Sequence, residues 1–417
     1  MSTVYEQIQE KYAEYGIDTE AVIRTVDKIP VSVHCWQGDD VGGFEKAGSS
    51  LSGGGIQVTG SYPGKARSIA ELRQDIEKAV SLTPGTHRIS LHANYADFEN
   101  TKPVDRDALE PSAFQSWLDW ARSCGFHLDF NATFFSHPKA QGLTLCSKDR
   151  GIRDFWIEHG KRCRTIGAFF GEKQKSPCIH NVWIADGMKD IPADRKVYRE
   201  ILCESLDALF SENISEAYLK DSIESKLFGI GSEAYVAGSH EFYLGYALTR
   251  NKLLTLDMGH FHPTENVADK ISSVMLFVKE ILLHLSRPMR WDSDHVIILN
   301  DDLRLMCEEI VKSRKLENIH IGLDFFDGSI NRIGAWALGC RSARKALLCA
   351  LLLPHEKIAA YEDEGDFFAR LALLENVKSM PAGIVWDEYC RRSNIAPDSK
   401  LIDEIHTYEY NVTSKRG

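Results

Sequence analysis

The segment Leu253-Leu-Thr-Leu-Asp257 ends in an acidic residue, and the chain continues at once through Met-Gly-His260. A second apolar run, Ile281-Leu-Leu-His284-Leu285, carries a histidine at its penultimate position. Apolar runs of about four to eight residues with turn residues on either side are typical of buried strands. Enzymes built on parallel sheets place their chemistry at the carboxyl ends of such strands. This part of the chain therefore predicts two parallel strands that end in functional groups.

Runs of this kind occur eight times, and segments with helical periodicity separate them. Alternation of strands and helices predicts a parallel sheet, either open or closed. The count of eight, with polar residues at the end of nearly every strand, favours an α/β fold of the (β/α)8 TIM-barrel type over a doubly wound open sheet. No Gly-x-Gly-x-x-Gly turn follows a strand near the N-terminus, which also argues against the open sheet. The predicted strands are Val31–Trp36, Arg88–Asn94, Phe126–Asn131, Ile179–Ile184, Ser222–Gly229, Leu253–Asp257, Ile281–Leu285 and Ile319–Phe326.

Further helical segments extend the barrel at both ends of the chain. Residues 3–28 predict an amphipathic helix pair, and residues 354–417 predict helices without another strand. We therefore expect a catalytic barrel domain over residues 1–353, including the N-terminal helices, followed by a C-terminal helical extension. The glycine-rich segment 38–64 follows the first strand, and its length and position predict a lid over the site. The helices predicted between strands are Ser68–Val80, Pro111–Ser123, Asp149–Phe170, Arg195–Phe210, Asn266–Glu280, Asp301–Arg314 and Ile330–Leu353.

Composition narrows the partners and the compartment. The net charge of −11 and the pI near 5.8 argue against a nucleic-acid partner, whose phosphates attract a basic surface. The ten cysteines are scattered without a Cys-x-x-Cys pair, which is typical of free thiols in a reducing compartment. The N-terminus lacks the features of a signal peptide, and no run approaches the ~20 apolar residues of a membrane span. These features predict a cytoplasmic protein without a nucleic-acid or membrane partner.

Four polar residues end four consecutive predicted strands. They are Glu224, Asp257, His284 and Asp324. Neighbouring strands lie about 4.8 Å apart, so four such side chains can converge on one cation. Three carboxylates and an imidazole suit Mn²⁺, Mg²⁺ or Zn²⁺ better than a metal that prefers thiolates. A single residue of this kind is more often a helix cap or the partner of an arginine, but four on consecutive strands favour a metal site.

A second group, His260, Asp292 and Asp294, lies close to the first in sequence. Asp292 and Asp294 are two residues apart, and on a strand their side chains would point the same way. Adjacent carboxylates repel each other unless a proton or a cation lies between them. Because His260 follows Asp257 by three residues, this group predicts a second metal site beside the first. A carboxylate such as Asp257 or Glu224 would then lie between the two metals.

Other residues suit a substrate site near these metals. Lys226 lies two residues after Glu224, and it would either neutralise the cluster or hold a developing oxyanion. His92, Asn94 and Trp183 belong to the opposite wall, where a tryptophan among polar groups suits sugar binding, although core packing would explain it equally well. The sequence contains neither Gly-x-Ser-x-Gly nor Gly-x-x-x-x-Gly-Lys-Ser/Thr, which leaves metal chemistry as the favoured class.

Two rival classes remain open from the residues alone. A metal-dependent hydrolase, such as a barrel phosphoesterase or endonuclease, would use similar ligands with more histidines and a basic rim. The acidic charge of the chain argues against it. A non-catalytic sugar-binding protein would need stacking aromatics without clustered ligands.

Several long blocks carry a family resemblance. They are His34-Cys-Trp-Gln-Gly-Asp-Asp-Val41, Tyr62-Pro-Gly-Lys-Ala-Arg67, Glu224-Ser-Lys-Leu-Phe-Gly-Ile-Gly231, Leu256-Asp-Met-Gly-His-Phe-His-Pro-Thr-Glu265, Ser286-Arg-Pro-Met-Arg-Trp-Asp-Ser-Asp-His295, and Ile321-Gly-Leu-Asp-Phe-Phe-Asp327 with Ser329-Ile-Asn-Arg332. In these blocks the chain closely resembles the L-rhamnose isomerases, bacterial enzymes that interconvert L-rhamnose and L-rhamnulose. The resemblance implies a metal-dependent β/α barrel that assembles as a homotetramer and acts in cytoplasmic rhamnose breakdown.

The resemblance also implies ligand sets for two metals. A structural site, which Mn²⁺, Zn²⁺, Mg²⁺ or Co²⁺ could fill, falls on the first group, and a catalytic manganese falls on the second. The structural ligands are Glu224, Asp257, His284 and Asp324, and the catalytic ligands are His260, Asp292 and Asp294.

We expect a hydride shift between C1 and C2 of the sugar, with metals polarising O1 and O2, rather than a base-catalysed enediol. Asp324 would shuttle the hydroxyl proton through a water, and Lys226 would steady O1. His260 would act as a ligand of the catalytic metal. His92 and Trp183 would position the sugar.

Overall fold

Eight parallel strands close into a barrel in the computed structural model, which describes residues 3–45, 58–99, 101–226, 233–289 and 292–416. The described residues form ten strands in all, which are β1 (Val31–His34), β2 (His87–His92), β3 (His127–Asn131), β4 (Cys178–Trp183), β5 (Gly187–Met188), β6 (Leu219–Glu224), β7 (Tyr235–Val236), β8 (Leu253–Asp257), β9 (Ile281–Leu285) and β10 (Ile319–Leu323). Around the barrel their order is β1-β10-β9-β8-β6-β4-β3-β2, while β5 and β7 form a separate antiparallel pair. The closed barrel confirms the predicted fold and excludes the open sheet.

Strand β6 differs most from its predicted bounds, Ser222–Gly229. It begins three residues earlier and ends at Glu224, so Lys226 lies beyond the strand. The start of β6 could not be recognised from the sequence because Lys220 and Asp221 interrupt the apolar run. Both charges are satisfied by ion pairs in the folded chain. The last three residues of the predicted strand lie outside the described part of the chain.

Helices surround the barrel and follow it. They are α1 (Val4–Glu14), α2 (Thr19–Lys28), α3 (Ile69–Val80), α4 (Gln115–Cys124), α5 (Arg150–Gln174), α6 (Arg195–Leu209), α7 (His240–Arg250), α8 (Ala268–Val274), α9 (Asp301–Lys312), α10 (Arg332–Leu351), α11 (His355–Asp363), α12 (Phe367–Lys378), α13 (Ala382–Arg392) and α14 (Asp398–Asn411). Helix α7 was not predicted, because its apolar residues are spread around the helix and it buries mainly Tyr243, Tyr246 and Ala247. Helix α8 is shorter than the predicted 266–280.

The C-terminal segment is helical, as predicted, from α11 to α14. Helix α13 packs against α1, α2 and α10, and its Trp386 and Tyr389 are buried. The division into a barrel domain and an extension at residue 353 stays a prediction. Among the described residues, no helix combines the length and the apolar character that crossing a membrane requires.

Along each barrel strand, residues that face the surrounding helices alternate with residues that face the barrel axis. On β2, Ile89 and Leu91 pack into the hydrophobic core, whereas Ser90 and His92 line cavities within the barrel. On β10, Gly322 occupies an axial position with no side chain at all. At these positions the axis carries small or polar groups, beside apolar residues such as Ile179 and Leu282, and a cavity remains inside the barrel.

Candidate metal centre

The carboxyl ends of β6, β8, β9 and β10, which are neighbours around the barrel, bring four candidate ligand groups together. They are Glu224, Asp257, His284 and Asp324, and one donor atom from each lies within 4.8 Å of the others. Nδ1 of His284 is 3.1 Å from Oε1 of Glu224 and 3.3 Å from Oδ2 of Asp324. The same nitrogen is 3.7 Å from Oδ2 of Asp257. The polar strand ends singled out in the sequence thus converge at one point.

Among the described residues, imidazoles are the groups that offset the negative charge of this cluster. Burial, reinforced by the charge of Glu224, raises the pKa of Asp257. Burial would also raise the pKa of Glu224, but His284 and His260 outweigh it and hold that pKa below its usual range. Burial lowers the pKa of His284, yet the charges of Glu224 and Asp324 raise it well above its usual value. In the described part of the chain, no lysine or arginine pairs with the four groups.

The donor set fits a divalent cation. Oδ2 of Asp257 is buried and has no hydrogen-bond partner among the described residues. A buried carboxylate oxygen without a donor is costly, and a cation satisfies it. Carboxylate oxygens with one imidazole suit Mn²⁺, Mg²⁺ or Zn²⁺. The cluster can therefore hold a metal ion.

The second predicted group lies directly beside the first. Nδ1 of His260 is 3.4 Å from Oε1 of Glu224, and its Nε2 is 3.1 Å from Oδ2 of Asp292. Gly259 permits this approach, because a Cβ there would lie 2.9 Å from Oδ1 of Asp292. The prediction that Asp292 and Asp294 share a strand was wrong, since they lie on a loop where Asp294 has a φ of 43°. Both carboxyls nevertheless line one chamber with His260.

Lys226 and Trp183 line the same chamber. Nζ of Lys226 donates to the carbonyl of Ala185 at 3.1 Å and to Oε1 of Glu233 at 3.2 Å. The ammonium is therefore paired with Glu233 rather than with the metal-ligand cluster. The Trp183 ring stacks on His260 with centroids 6.3 Å apart and planes 16° apart. Its Nε1 is buried and has no partner within the described ranges.

His92 forms another part of the chamber wall. Its Nδ1 is 3.0 Å from Oγ1 of Thr133. Its ring packs edge-on against that of Trp36, with the ring centroids 4.7 Å apart. Burial lowers the pKa of His92 to about 3, so the ring is neutral and can exchange hydrogen bonds with hydroxyls. Asn94 lies behind this wall, in the turn that follows β2. Its backbone carbonyl accepts a hydrogen bond from the backbone N–H of Phe44.

Sequence comparison identifies the family to which this site belongs. A sequence model of L-rhamnose isomerase (RhaA) matches residues 1–416. The chain belongs to the L-rhamnose isomerase family. This confirms the resemblance predicted from the sequence blocks, and it places the chain among isomerases rather than hydrolases or sugar-binding proteins.

Similar proteins span nearly the whole length of the chain. The L-rhamnose isomerase of Bacteroides thetaiotaomicron is 53% identical, covering 99% of this chain and 98% of the relative. That of Rhodopirellula baltica is 52% identical, with coverage of 99% and 96%. That of Mannheimia succiniciproducens is 50% identical over 100% of both chains.

Two residues that hold candidate ligand groups in this L-rhamnose isomerase family member were missed in the sequence. Nδ2 of Asn181 donates to Oε2 of Glu224, and Nε1 of Trp36 donates to Oδ1 of Asp324 at 3.1 Å. Asn181 could have been found, because it lies two residues before Trp183 on β4 and so shares its face. Trp36 follows β1 in a 3-10 turn, where no strand periodicity indicates the direction of its indole.

The predicted lid, residues 38–64, is described only at its two flanks, since 46–57 lie outside the described residues. The later flank is anchored to the segment that follows β10. The backbone N–H of Tyr62 donates to the carbonyl of Gly328 at 2.7 Å, and Arg332 donates to the carbonyl of Tyr62 at 2.6 Å.

Proposed function

We propose that this chain interconverts L-rhamnose and L-rhamnulose as a metal-dependent aldose–ketose isomerase. The observation that carries the proposal is the convergence of three carboxylates and one imidazole at the carboxyl end of the barrel. The curated relatives, each an L-rhamnose isomerase of nearly the same length, support the choice of substrate.

Two divalent cations, in the first place Mn²⁺, would occupy the chamber. Glu224, Asp257, His284 and Asp324 would hold the first ion, for which Zn²⁺, Mg²⁺ or Co²⁺ is an alternative. His260, Asp292 and Asp294 would hold the second. Adjacent sites are supported by Glu224, whose Oε1 lies 3.1 Å from His284 and 3.4 Å from His260. The second site is also supported by Oδ1 of Asp292, which is buried without a partner among the described residues.

When bound, the cations would supply Lewis-acid polarisation of sugar oxygens near C1 and C2. The protein side chains would bind and orient the sugar around them. The neutral imidazole of His92 would exchange a hydrogen bond with a sugar hydroxyl. The Trp183 ring would cover the carbon chain and exclude water, and the ammonium of Lys226 would hold negative charge that develops on O1.

In the forward direction, hydrogen on C2 would move to C1 with its bonding electrons, and the O2 hydroxyl proton would move to O1. Asp324 would carry that proton through a bound water. Because Trp36 donates to Oδ1 of Asp324, the other oxygen remains directed at the cluster. His260, whose ring is fixed by stacking on Trp183, would be a ligand of the catalytic ion.

Two measurements test this proposal. Dialysis against a chelator should abolish ketose formation from L-rhamnose, and Mn²⁺ should restore it. L-Rhamnose deuterated at C2 should then give L-rhamnulose that retains deuterium at C1. Loss of the label to solvent would favour an enediol, and activity that survives chelation would contradict the metal assignment.

We also propose that the protein assembles as a homotetramer in the cytoplasm. Apolar side chains exposed on α12, namely Phe367, Phe368 and Leu371, support association with further subunits. Free thiols at all ten cysteines support a reducing compartment. Light scattering at several protein concentrations tests the tetramer.

A further inference from the structure

A large cavity lies beneath the metal centre, inside the amino-terminal half of the barrel. Its volume is about 630 Å³, against about 70 Å³ for the chamber that contains the metal-ligand groups. Barrels of this type are normally filled along their axis by layers of branched apolar side chains. We call this cavity the shaft, and it is lined at mid-depth by Ser32, Ser90, Asn131, Asn181 and Gly322.

The shaft opens at the amino-terminal end of the barrel. Its outer wall includes Ala21, Thr25 and Lys28 of α2, which precedes β1. Its lining combines polar side chains with apolar ones such as Ile179 and Leu282, and a cavity that contains polar groups and opens to solvent can hold water. The shaft is large enough to hold several water molecules.

The inner end of the shaft reaches the metal centre from below. Asn131, Asn181 and His284 line both the shaft and the upper chamber, so one layer of side chains separates the two spaces. Asn181 donates to the ligand group Glu224 from this layer. The same layer therefore contains one proposed metal ligand and the hydrogen-bond partner of another.

His284 presents opposite edges of its ring to the two spaces. Nδ1 faces the carboxylates of the cluster. The other edge faces Gly322, where an added Cβ would lie 3.1 Å from Cδ2 and 3.5 Å from Nε2 of His284. Within the described ranges, Nδ1 makes the only hydrogen bond of this imidazole to protein. A metal-bound histidine normally donates its second N–H to a carboxylate, a carbonyl or a water, which fixes the ring.

We propose that the shaft is a solvent route to the underside of the metal centre, and that water held beside Gly322 accepts the Nε2–H of His284. Solvent from the amino-terminal face thereby positions a metal ligand while a sugar fills the upper chamber. The part of this inference that concerns His284 rests on the proposed metal site. The part that concerns solvent entry into the shaft does not depend on the metal.

Cysteine accessibility tests the route with a readout that does not depend on the metal assignment. Ser32→Cys and Ser90→Cys place thiols in the shaft, and Ser222→Cys places one at a fully buried position outside its lining. With L-rhamnose at saturation, a small neutral methanethiosulfonate should modify the two shaft thiols at least about tenfold faster than the control thiol, because reaction requires access. Peptide mass spectrometry resolves each site from the native cysteines. Equal rates at the shaft and control positions would overturn the route.

A pair of substitutions at Gly322 tests the hydrogen bond. Gly322→Ala places a methyl group beside His284, and Gly322→Ser adds the same Cβ with a hydroxyl that can replace the water. Calorimetric titration with Mn²⁺ alone should show affinity reduced by about tenfold or more in Gly322→Ala, and reduced less in Gly322→Ser. An equal loss in both would mean steric crowding and would overturn the role of the water, as would no loss in either. A wild-type chain that binds no Mn²⁺ would instead contradict the proposed function and leave the labelling result intact.

Discussion

The two ends of the barrel bury acidic side chains in opposite ways. At the amino-terminal end, Asp221 lies 3.1 Å from Arg164 and 3.0 Å from Lys252. Glu280 at the same end accepts hydrogen bonds from Lys220 and His320. Each of these acids is thus neutralised by a group of the protein.

At the carboxyl end, acidic side chains lie next to one another. Glu224, Asp257 and Asp324 approach one another around His284, and Lys226 is directed to Glu233. A cluster of this kind stays uncompensated unless protons or a cation are bound. The amino-terminal pairs therefore serve stability, and the carboxyl-end cluster is available for an exchangeable ion.

Asp257→Asn should produce the largest effect. It removes one charged ligand oxygen with little change in shape, so activity with L-rhamnose should fall by at least about a thousandfold, and Mn²⁺ should no longer raise the melting temperature. The metal-free variant should need at least as much urea as wild type to unfold at neutral pH. Burial raises the pKa of Asp257, so at neutral pH the carboxyl ionises more readily in the unfolded chain than in the folded one, a cost that the neutral amide lacks. Full activity with normal Mn²⁺ affinity would remove Asp257 from the ligand set.

Asp221→Asn should give the converse result. The substitution leaves the buried Arg164 and the partly buried Lys252 beside a neutral amide, which should cost about 3–5 kcal/mol of unfolding free energy. Mn²⁺ affinity should not change, because Asp221 lies on the face of β6 opposite to Glu224. Urea unfolding and calorimetric titration check the two halves of the prediction. A large loss of Mn²⁺ affinity in the folded variant would contradict the separation of the two ends.

The barrel and the convergence of the candidate ligand groups could be predicted because both depend on local pattern. Strand β8 and strand β9 have the predicted bounds, since their apolar runs are short and uninterrupted. A residue at the end of a parallel strand must lie at one end of the barrel, whichever strands are its neighbours. Asp257 and His284 converge because β8 and β9 are also neighbours, with these two residues as register partners.

The remaining features depend on contacts that no local pattern carries. Trp36 and Asp324 are 288 positions apart, and only closure of the barrel between β1 and β10 brings them together. The pairing of Lys226 with Glu233 depends on the course of the chain after β6 has ended. The shaft was not predicted, because serine on a strand does not by itself indicate whether it faces a cavity.

Lys226 provides a smaller test at the carboxyl end. If its ammonium serves the sugar rather than the metal cluster, Lys226→Met should lower kcat by about a hundredfold and leave Mn²⁺ affinity unchanged. Lys226→Arg keeps the charge and should recover part of the rate. Tighter Mn²⁺ binding in Lys226→Met with an unchanged kcat would show that the lysine acts mainly on the charge of the cluster.

Glu280→Gln should have the smallest effect. Its pH dependence tests whether this acid at the amino-terminal end stabilises the folded protein in its ionised form. Burial raises the pKa of Glu280, but the hydrogen bonds from His320 and Lys220 outweigh it and lower that pKa to about 2. An acid with a depressed folded pKa contributes stability that is fully present above its unfolded pKa, near 4.5, and is lost as pH falls through 2.

Wild type should therefore exceed Glu280→Gln by about 1–3 kcal/mol in unfolding free energy at pH 7, because the substitution leaves a lysine without its anion. The difference should shrink between pH 4.5 and pH 2. Urea unfolding of chelated protein at pH 7, 4 and 3 measures it. Asp257→Asn should show the opposite trend, since a raised folded pKa makes the native carboxyl increasingly unfavourable as pH rises. Identical pH profiles for the two variants would mean that both ends bury their acids in the same way.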